Sequence, residues 1–279
     1  MRHRGFTLVE LLVALVVLSL VATGLSKIFL TQQRLTVSQV EQASLQSNVR
    51  TGSLVLSNEL REIASDTSGA SDIVSFSPTA LTYRAMRSLG LACQVSETEV
   101  RLLATPLYGA RPIQVTDSML LYVEGDPNVS TDDHWLALDI RGIHSTTCGA
   151  SAAIGLSTWI DTTANPLGDI LLEAPVRTFE IMQLAPVAAG GQTWLGAASL
   201  SQGQVLTPVA GPLTVNGLGF TYLDSLGNVT ATRSRIRSIQ IALRGQTDRA
   251  VRTASDMSVL APSQDSLVTT ITLRNTPEP

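Results

Sequence analysis

With two cysteines, 4% aromatic residues and 15% charged residues, this 279-residue chain holds few of the groups from which reactive centres are built. Charged residues average roughly 25% in soluble domains. Two cysteines exclude both a cysteine-rich scaffold and an all-cysteine zinc centre. Three scattered histidines, His3, His134 and His144, make a catalytic or metal constellation hard to assemble. The balance of 19 Lys plus Arg against 23 Asp plus Glu gives a formal charge of −4, which excludes a strongly basic nucleic-acid-binding domain. At 44% hydrophobic, the chain is also not a charge-rich disordered polymer, and its length suffices for one large domain or two small ones.

What the sequence does have is concentrated at the amino terminus. Arg2, His3 and Arg4 form a basic head, and Leu11 to Ser26 (LLVALVVLSLVATGLS) carries no charge at all. Counted from Phe6 through Leu30, the apolar element covers about 25 residues, interrupted by Glu10 and Lys27, and so matches a bilayer span. The charge bias predicts a cytoplasmic head and an exported carboxy-terminal body. An ordinary secretory signal would end near small residues, and Ala22-Thr23-Gly24 offers such a place. Glu10 argues against that reading, because a carboxylate near the start of an apolar helix is costly in lipid and needs a partner. A cut between Gly5 and Phe6 would supply one, a new amino-terminal cation close to Glu10; the alternative is that Glu10 sits at headgroup depth.

The run Arg4-Gly5-Phe6-Thr7-Leu8-Val9-Glu10-Leu11-Leu12-Val13-Ala14-Leu15 resembles the class III signal of type IV prepilins and type II secretion pseudopilins. The resemblance implies that a membrane peptidase cuts after Gly5, that Phe6 becomes the methylated first residue, and that Glu10 is the assembly glutamate that meets a neighbouring amino terminus. It covers only the first 30 residues or so. The implied organisation is a leader over 1–5, a transmembrane and assembly helix over 6–30, an amphipathic continuation over 31–65, and an exported β-rich minor-pilin body over 70–275. The implied fold class is α+β, a long amino-terminal helix packed on an antiparallel sheet.

The residues beyond the membrane run fit that outline. Leu45, Val49, Leu56, Leu60 and Ile63 recur at helical steps and draw one apolar stripe, while Ser65 to Gly69 form a breaker cluster. A helix from about Thr7 to Ile63 would be about 85 Å long at ~1.5 Å per residue. Gly24 within it would permit a bend or close helix packing. From Asp72 the pattern shortens to strands, expected at 72–76, 80–84, 91–95, 100–103, 118–124, 135–143, 176–185, 218–222, 236–243 and 267–273. The segments 145–157 and 188–203, rich in Ser, Thr, Ala and Gly, read as surface connections, and Arg235 and Arg237 as a solvated strand face. The stretch from Gly217 to Asn228 followed by Ile236 to Ile241 resembles the end of J-type pseudopilins or W-type minor pilins.

Cys93 and Cys148 fit either a disulfide on the exported side or two buried thiols. Asp126, Asp132 and Asp133, with Glu124, are weak calcium candidates; they lack EF-hand spacing, and an exposed turn explains them as well. No other cofactor and no catalytic residue is expected. Trp135, Trp159 and Trp194 read either as partial core or as adhesive anchors. The resemblance implies a structural minor pilin for initiation, priming or tip assembly of a type IV pilus, not an enzyme. The alternatives are a J-type pseudopilin of a type II secretion system and a membrane-anchored adhesin or DNA-uptake component. Implied partners are a prepilin peptidase, other pilins or pseudopilins, an inner-membrane assembly platform and membrane lipid, with no nucleic acid established. The implied location is a single-pass inner-membrane protein with a periplasmic body that passes into a filament or its tip.

Overall fold

A computed structural model describes residues 8–65, 71–109, 111–126, 128–129, 132–164, 170–252 and 260–273. Helix α1 runs without interruption over Leu8–Arg61, 54 residues or about 80 Å. Leu, Val and Ala dominate its first half, and the hydroxyls there are satisfied locally: Ser19 donates to the Val16 carbonyl (2.8 Å) and Thr23 to that of Ser19 (2.8 Å). Gly24 causes no break, and a Cβ there would meet nothing within 4 Å among the described residues.

The chain divides into two compact units, 1–47 with 246–264, and 48–245 with 265–279. In the first unit, α1 is accompanied by an arm that includes a small hairpin, β13 (Val251–Arg252) and β14 (Leu260–Ala261), in which Val251 faces Ala261. The base of the arm is closed by Thr247 N donating to the Ser263 carbonyl (2.8 Å) and Ser263 N to Thr247 Oγ1 (2.9 Å). Nothing in the sequence pattern announced this arm, because two-residue strands carry no periodicity.

The second unit is α+β. Its strands are β1 (Ile73–Phe76), β2 (Leu81–Ser96), β3 (Glu99–Leu103), β4 (Tyr108–Gly109), β5 (Ser118–Val123), β6 (His134–Asp139), β7 (Gly142–Cys148) and β8 (Ser151–Ser157). They continue with β9 (Pro175–Ala189), β10 (Gln192–Ser199), β11 (Thr207–Leu223), β12 (Ser238–Gln246) and β15 (Gln264–Thr272). These form one thirteen-stranded sheet in the order β15-β12-β11-β10-β9-β2-β3-β8-β7, with β5 on β9, β6 on β5, and β1 and β4 on β2. The described pairings are antiparallel.

The apolar stripe supplies the helix side of this unit's core: Val49, Leu56 and Leu60 of α1 and Ile63 just after it are buried, as their spacing predicts, and Leu45 in the first unit is buried too. Each such side chain contributes about 1.5–3 kcal/mol of gross burial energy. Close approach to the sheet depends on Gly52, where a Cβ would lie 2.9 Å from the Ala210 Cβ of β11. Alongside, Asn48 Nδ2 donates to the Gly211 carbonyl at 3.0 Å. The helix stops where the chain turns back on itself: Asp72 Oδ2 accepts from Ala64 N (2.8 Å) and Asp72 N donates to the Ala64 carbonyl (2.8 Å). A second apolar core, with Leu102, Met119, Leu121, Leu156 and Val176 at its centre, fills the β3, β5, β8 and β9 region.

Several strand expectations need correction. The two strands expected at 80–84 and 91–95 are one, β2, because Gly90 is not a turn residue but lies inside the strand, where a Cβ would press on Leu107 Cδ1 at 3.0 Å. The strand expected at 135–143 is two, β6 and β7, divided where Arg141 N donates to the Ser157 carbonyl. The supposed connections 145–157 and 188–203 are mostly sheet: they hold the hairpins β7-β8 and β9-β10. In the second, Gly190 (φ +59°) and Gly191 (φ +79°) form the two-residue turn that favours positive φ at both positions. Composition misled here, since Thr and Ala pair in a ladder as readily as they occupy a loop. Ile236 precedes β12 and follows a 3₁₀ turn at Arg233–Arg235.

Cys93 on β2 and Cys148 at the end of β7 are joined by a disulfide, with Cα atoms 6.1 Å apart and a sequence separation of 55. Removing this crosslink is expected to lower stability by about 2–5 kcal/mol. Denaturant unfolding of the oxidised chain against Cys93→Ser/Cys148→Ser measures it. A second test lies at the helix-sheet contact, where Gly52→Val should destabilise by about 1–3 kcal/mol through overpacking, with Gly24→Val near neutral in the same assay.

Candidate functional site

Two constructions stand out along α1. The first is the exposed apolar half. Leu8 through Leu30 are all solvent-facing within this chain, with Leu8 81% exposed and Phe29 62%, and the segment is long and apolar enough to cross a membrane. Glu10 lies in the first turn and is the only acid in α1 before Glu41. Val9, Glu10, Val13, Ala14, Val17, Leu18 and Val21 share one helical face, so the carboxylate stands at the head of an apolar strip. Among the described residues a surface of this kind has nothing to bury against, and lipid or neighbouring apolar helices are the surroundings that suit it. Gly5 and Phe6, the expected cleavage and methylation positions, lie outside the described residues.

The second construction fixes the other end of the helix to the sheet. Glu59 of α1 faces Arg87 of β2 (Oε2 to Nη1 3.6 Å) and accepts from the Tyr83 hydroxyl at 3.4 Å. Arg87 Nε is bonded in turn to Glu180 of β9, which Arg111 also approaches at 3.4 Å. Arg111 grips Asp117 with both ends of its fork (2.6 and 2.8 Å). Burial pushes the Glu180 carboxyl up, but hydrogen bonds from Ser199 and Arg87 and the charges of Arg87 and Arg111 outweigh it and hold the group below its ordinary value. A similar clamp joins Asp72 to Arg177 (3.2 Å), although burial there wins and raises the Asp72 carboxyl. Neither network is legible in the sequence, because its members are separated by up to 121 positions between Glu59 and Glu180 (180 − 59) and no local spacing marks them.

The remaining expected site residues have local partners. Asp126 Oδ1 accepts from both the backbone N and Nδ2 of Asn128 (3.0 Å each), and Asp132 Oδ2 accepts from Asp126 N at 2.7 Å. The turn thus uses these carboxylates to close itself, and the Asn128 N–H lowers the Asp126 carboxyl. Asp133 carries a hydrogen bond that raises the Tyr122 hydroxyl. Among the described residues, no group of three or more His, Cys, Asp or Glu side chains is placed to hold a metal. His134 Nδ1 lies 3.1 Å from the Asp132 carbonyl and His144 Nε2 lies 2.8 Å from Glu99 Oε1, each on its own partner. Arg237 is not a solvated strand residue: it donates to Ser65 Oγ (3.1 Å) and the Ser234 carbonyl (2.8 Å), so it braces the chain after α1. Of the tryptophans, Trp135 packs edge-on against Tyr122 (5.4 Å) and Trp194 donates to the Ala189 carbonyl (3.1 Å), whereas Trp159 is 58% exposed.

Residues 1–26 match the family model described as the prokaryotic N-terminal methylation motif. No curated protein and no solved structure matches the chain.

The ion network makes a signed prediction. A carboxyl held low in the folded state stabilises the fold above its unfolded value, about 4.3 for Glu, and that contribution fades as pH falls through the folded value. Glu180→Gln should therefore cost most at neutral pH and progressively less below about pH 4. Urea midpoints of the two chains at pH 7 and pH 3 give the comparison.

Proposed function

We propose that this chain, whose methylation motif and long apolar helix packed on a β-sheet domain match the type IV pilin and pseudopilin superfamily, is a minor subunit for initiation, priming or tip assembly of a type IV pilus. The single observation that carries the structural role is the division of α1 into an exposed apolar half with Glu10 at its head and a half whose stripe is buried. A thirteen-stranded body supports the minor-subunit reading, since a repeating filament unit has little use for so large a sheet.

In this reading the precursor waits in the inner membrane with its basic head in the cytoplasm and its body outside. The Cys93–Cys148 bond suits an oxidising compartment for the body. Cleavage after Gly5 by a prepilin peptidase frees the Phe6 amine, which is then methylated. Moving the apolar half from lipid to neighbouring helices brings little hydrophobic gain, because lipid tails are as apolar as leucine. Side-chain packing and charge pairing therefore decide assembly. A carboxylate costs about 2.5–3.5 kcal/mol at mid-bilayer and less near the interface, and pairing Glu10 with a neighbour's amino terminus removes that cost while fixing register. The assembly platform and the other pilins are the partners this scheme requires.

Intact mass and terminal-peptide mass spectrometry, in membranes with and without the peptidase, test it. Peptidase-dependent N-methyl-Phe6 is expected; an unprocessed Met1, or cleavage near Gly24, overturns the assignment. Glu10→Val should leave membrane accumulation unchanged and reduce the assembled fraction by about tenfold or more, the effect of roughly 1.4 kcal/mol of lost pairing. Loss of pilus extension on deletion supports the pilus subunit, and loss of protein secretion with pili intact replaces it with a J-type pseudopilin.

A further inference from the structure

A cleft of about 360 Å³ opens on the body where β1, β2, β5, β6 and β9 meet the segment after β8, remote in sequence from the assembly helix. Its walls include Arg84, Asp139, Arg141, Ser118, Thr158 and Trp159. Three features set it apart from an ordinary surface dent.

Trp159 is presented, not frayed. Its neighbours are pinned, with Thr158 N donating to the Thr98 carbonyl (3.0 Å) and Ile160 N to that of Glu97 (2.8 Å). Thr158 and Ile160 are buried, so the residue between them faces out, and the indole stands 58% exposed at the cleft. An exposed indole on a fixed backbone adds little to folding and offers a flat apolar face to a ligand.

Arg141 is exposed and forms no ion pair among the described residues. The loop that carries it is held beside Trp159 by Arg141 N on the Ser157 carbonyl (2.8 Å) and Thr158 Oγ1 on the Asp139 carbonyl (2.9 Å). Arg84, deeper in the cleft, stacks over Phe179 (5.2 Å) and uses Nη1 on the Ser71 carbonyl (3.2 Å). A planar guanidinium with free donors suits a carboxylate, which it can hold with two parallel bonds.

The third feature chooses among anions. Asp139 lies exposed in the same cleft, touched by Ser118 Oγ at 3.3 Å. A carboxylate beside the arginines repels a ligand that is anionic throughout, such as a nucleic acid strand or a polyglutamate. It favours one that brings hydroxyl donors along with its negative group. A flat face for the indole, a carboxylate for Arg141 and hydroxyls for Asp139 together describe a uronic-acid sugar, and the cleft volume lies in the small-ligand range.

We infer that this cleft is a binding site for an acidic sugar residue, with Trp159 stacking on the ring, Arg141 holding the carboxylate and Asp139 accepting from ring hydroxyls. The site does not depend on the assembly role of α1 and would persist if that reading failed.

Titration calorimetry of the full chain, in a detergent without a sugar headgroup, tests the inference with digalacturonate, maltose and tetraglutamate as probes. Saturable binding of digalacturonate alone is expected, weakened about tenfold or more in Arg141→Ala, through loss of one charge-assisted contact, and in Trp159→Ala, through loss of the stacking face. Both positions are exposed, and unchanged thermal melting will show that the variants are folded. Asp139→Asn should weaken digalacturonate and relieve the exclusion of tetraglutamate. Absence of saturable binding up to about 10 mM, equal binding of maltose, tighter binding of tetraglutamate, or affinity that survives both alanine substitutions would each overturn the proposal.

Discussion

One helix must satisfy two environments, and the rest of the molecule follows from how it is divided. From Leu45 onward α1 carries a stripe that the fold buries; from Leu8 to Leu30 its apolar side chains have nothing among the described residues to cover them. Burial of four or five large side chains at about 1.5–3 kcal/mol each suffices to hold one end to a sheet. The other end is left as a surface that water would penalise and lipid or neighbouring helices would not. Glu10 is the one acid on that otherwise apolar surface, and a carboxylate in an apolar setting has few acceptable positions.

Holding the docked end is a polar as well as an apolar task. Glu59, Arg87, Glu180, Arg111 and Asp117 form a chain of opposite charges that runs from α1 across β2 to β9 and the loop before β5. Such a network adds less to net stability than its contacts suggest, since each ion has lost its water. Its more definite consequence is specificity: any sliding of the helix along the sheet breaks a charge pair inside a partly dry setting. Gly52 acts in the same sense through shape, by admitting Ala210 where no larger residue would fit. The disulfide ties the end of β7 to β2, two strands that are not neighbours in the sheet.

Helix periodicity and the methylation motif were the most legible parts of the sequence. The stripe from Leu45 to Ile63 was readable because a 3.6-residue period repeats over many turns, and the helix end fell within two residues of its expected place. Strands were readable where Val, Ile and Leu alternate, as at Ile239, Ile241 and Leu243, and failed where small residues carry the ladder. Thr146, Thr147, Ala152 and Ala153 pair across β7 and β8, yet their composition is that of a loop. Glycines misled in both directions: Gly90 lies inside a strand, while Gly190-Gly191 marks a hairpin turn whose meaning depended on seeing strands on both sides. The ion network and the Trp159 cleft were invisible for a different reason. Both assemble from side chains on distant strands, and only the sheet order brings Arg84, Asp139, Arg141 and Trp159 together.

The central claim is that α1 changes environment near Leu30 while remaining one helix. Single cysteines at Ser19 and Gln39, in the chain that retains its native disulfide, test it directly with a membrane-impermeant maleimide applied to spheroplasts. Ser19→Cys should stay unlabelled until detergent is added, and Gln39→Cys should label at once from the outside. Ready labelling at Ser19 in intact membranes, or protection at Gln39 that detergent alone relieves, would contradict the division of the helix on which this account rests.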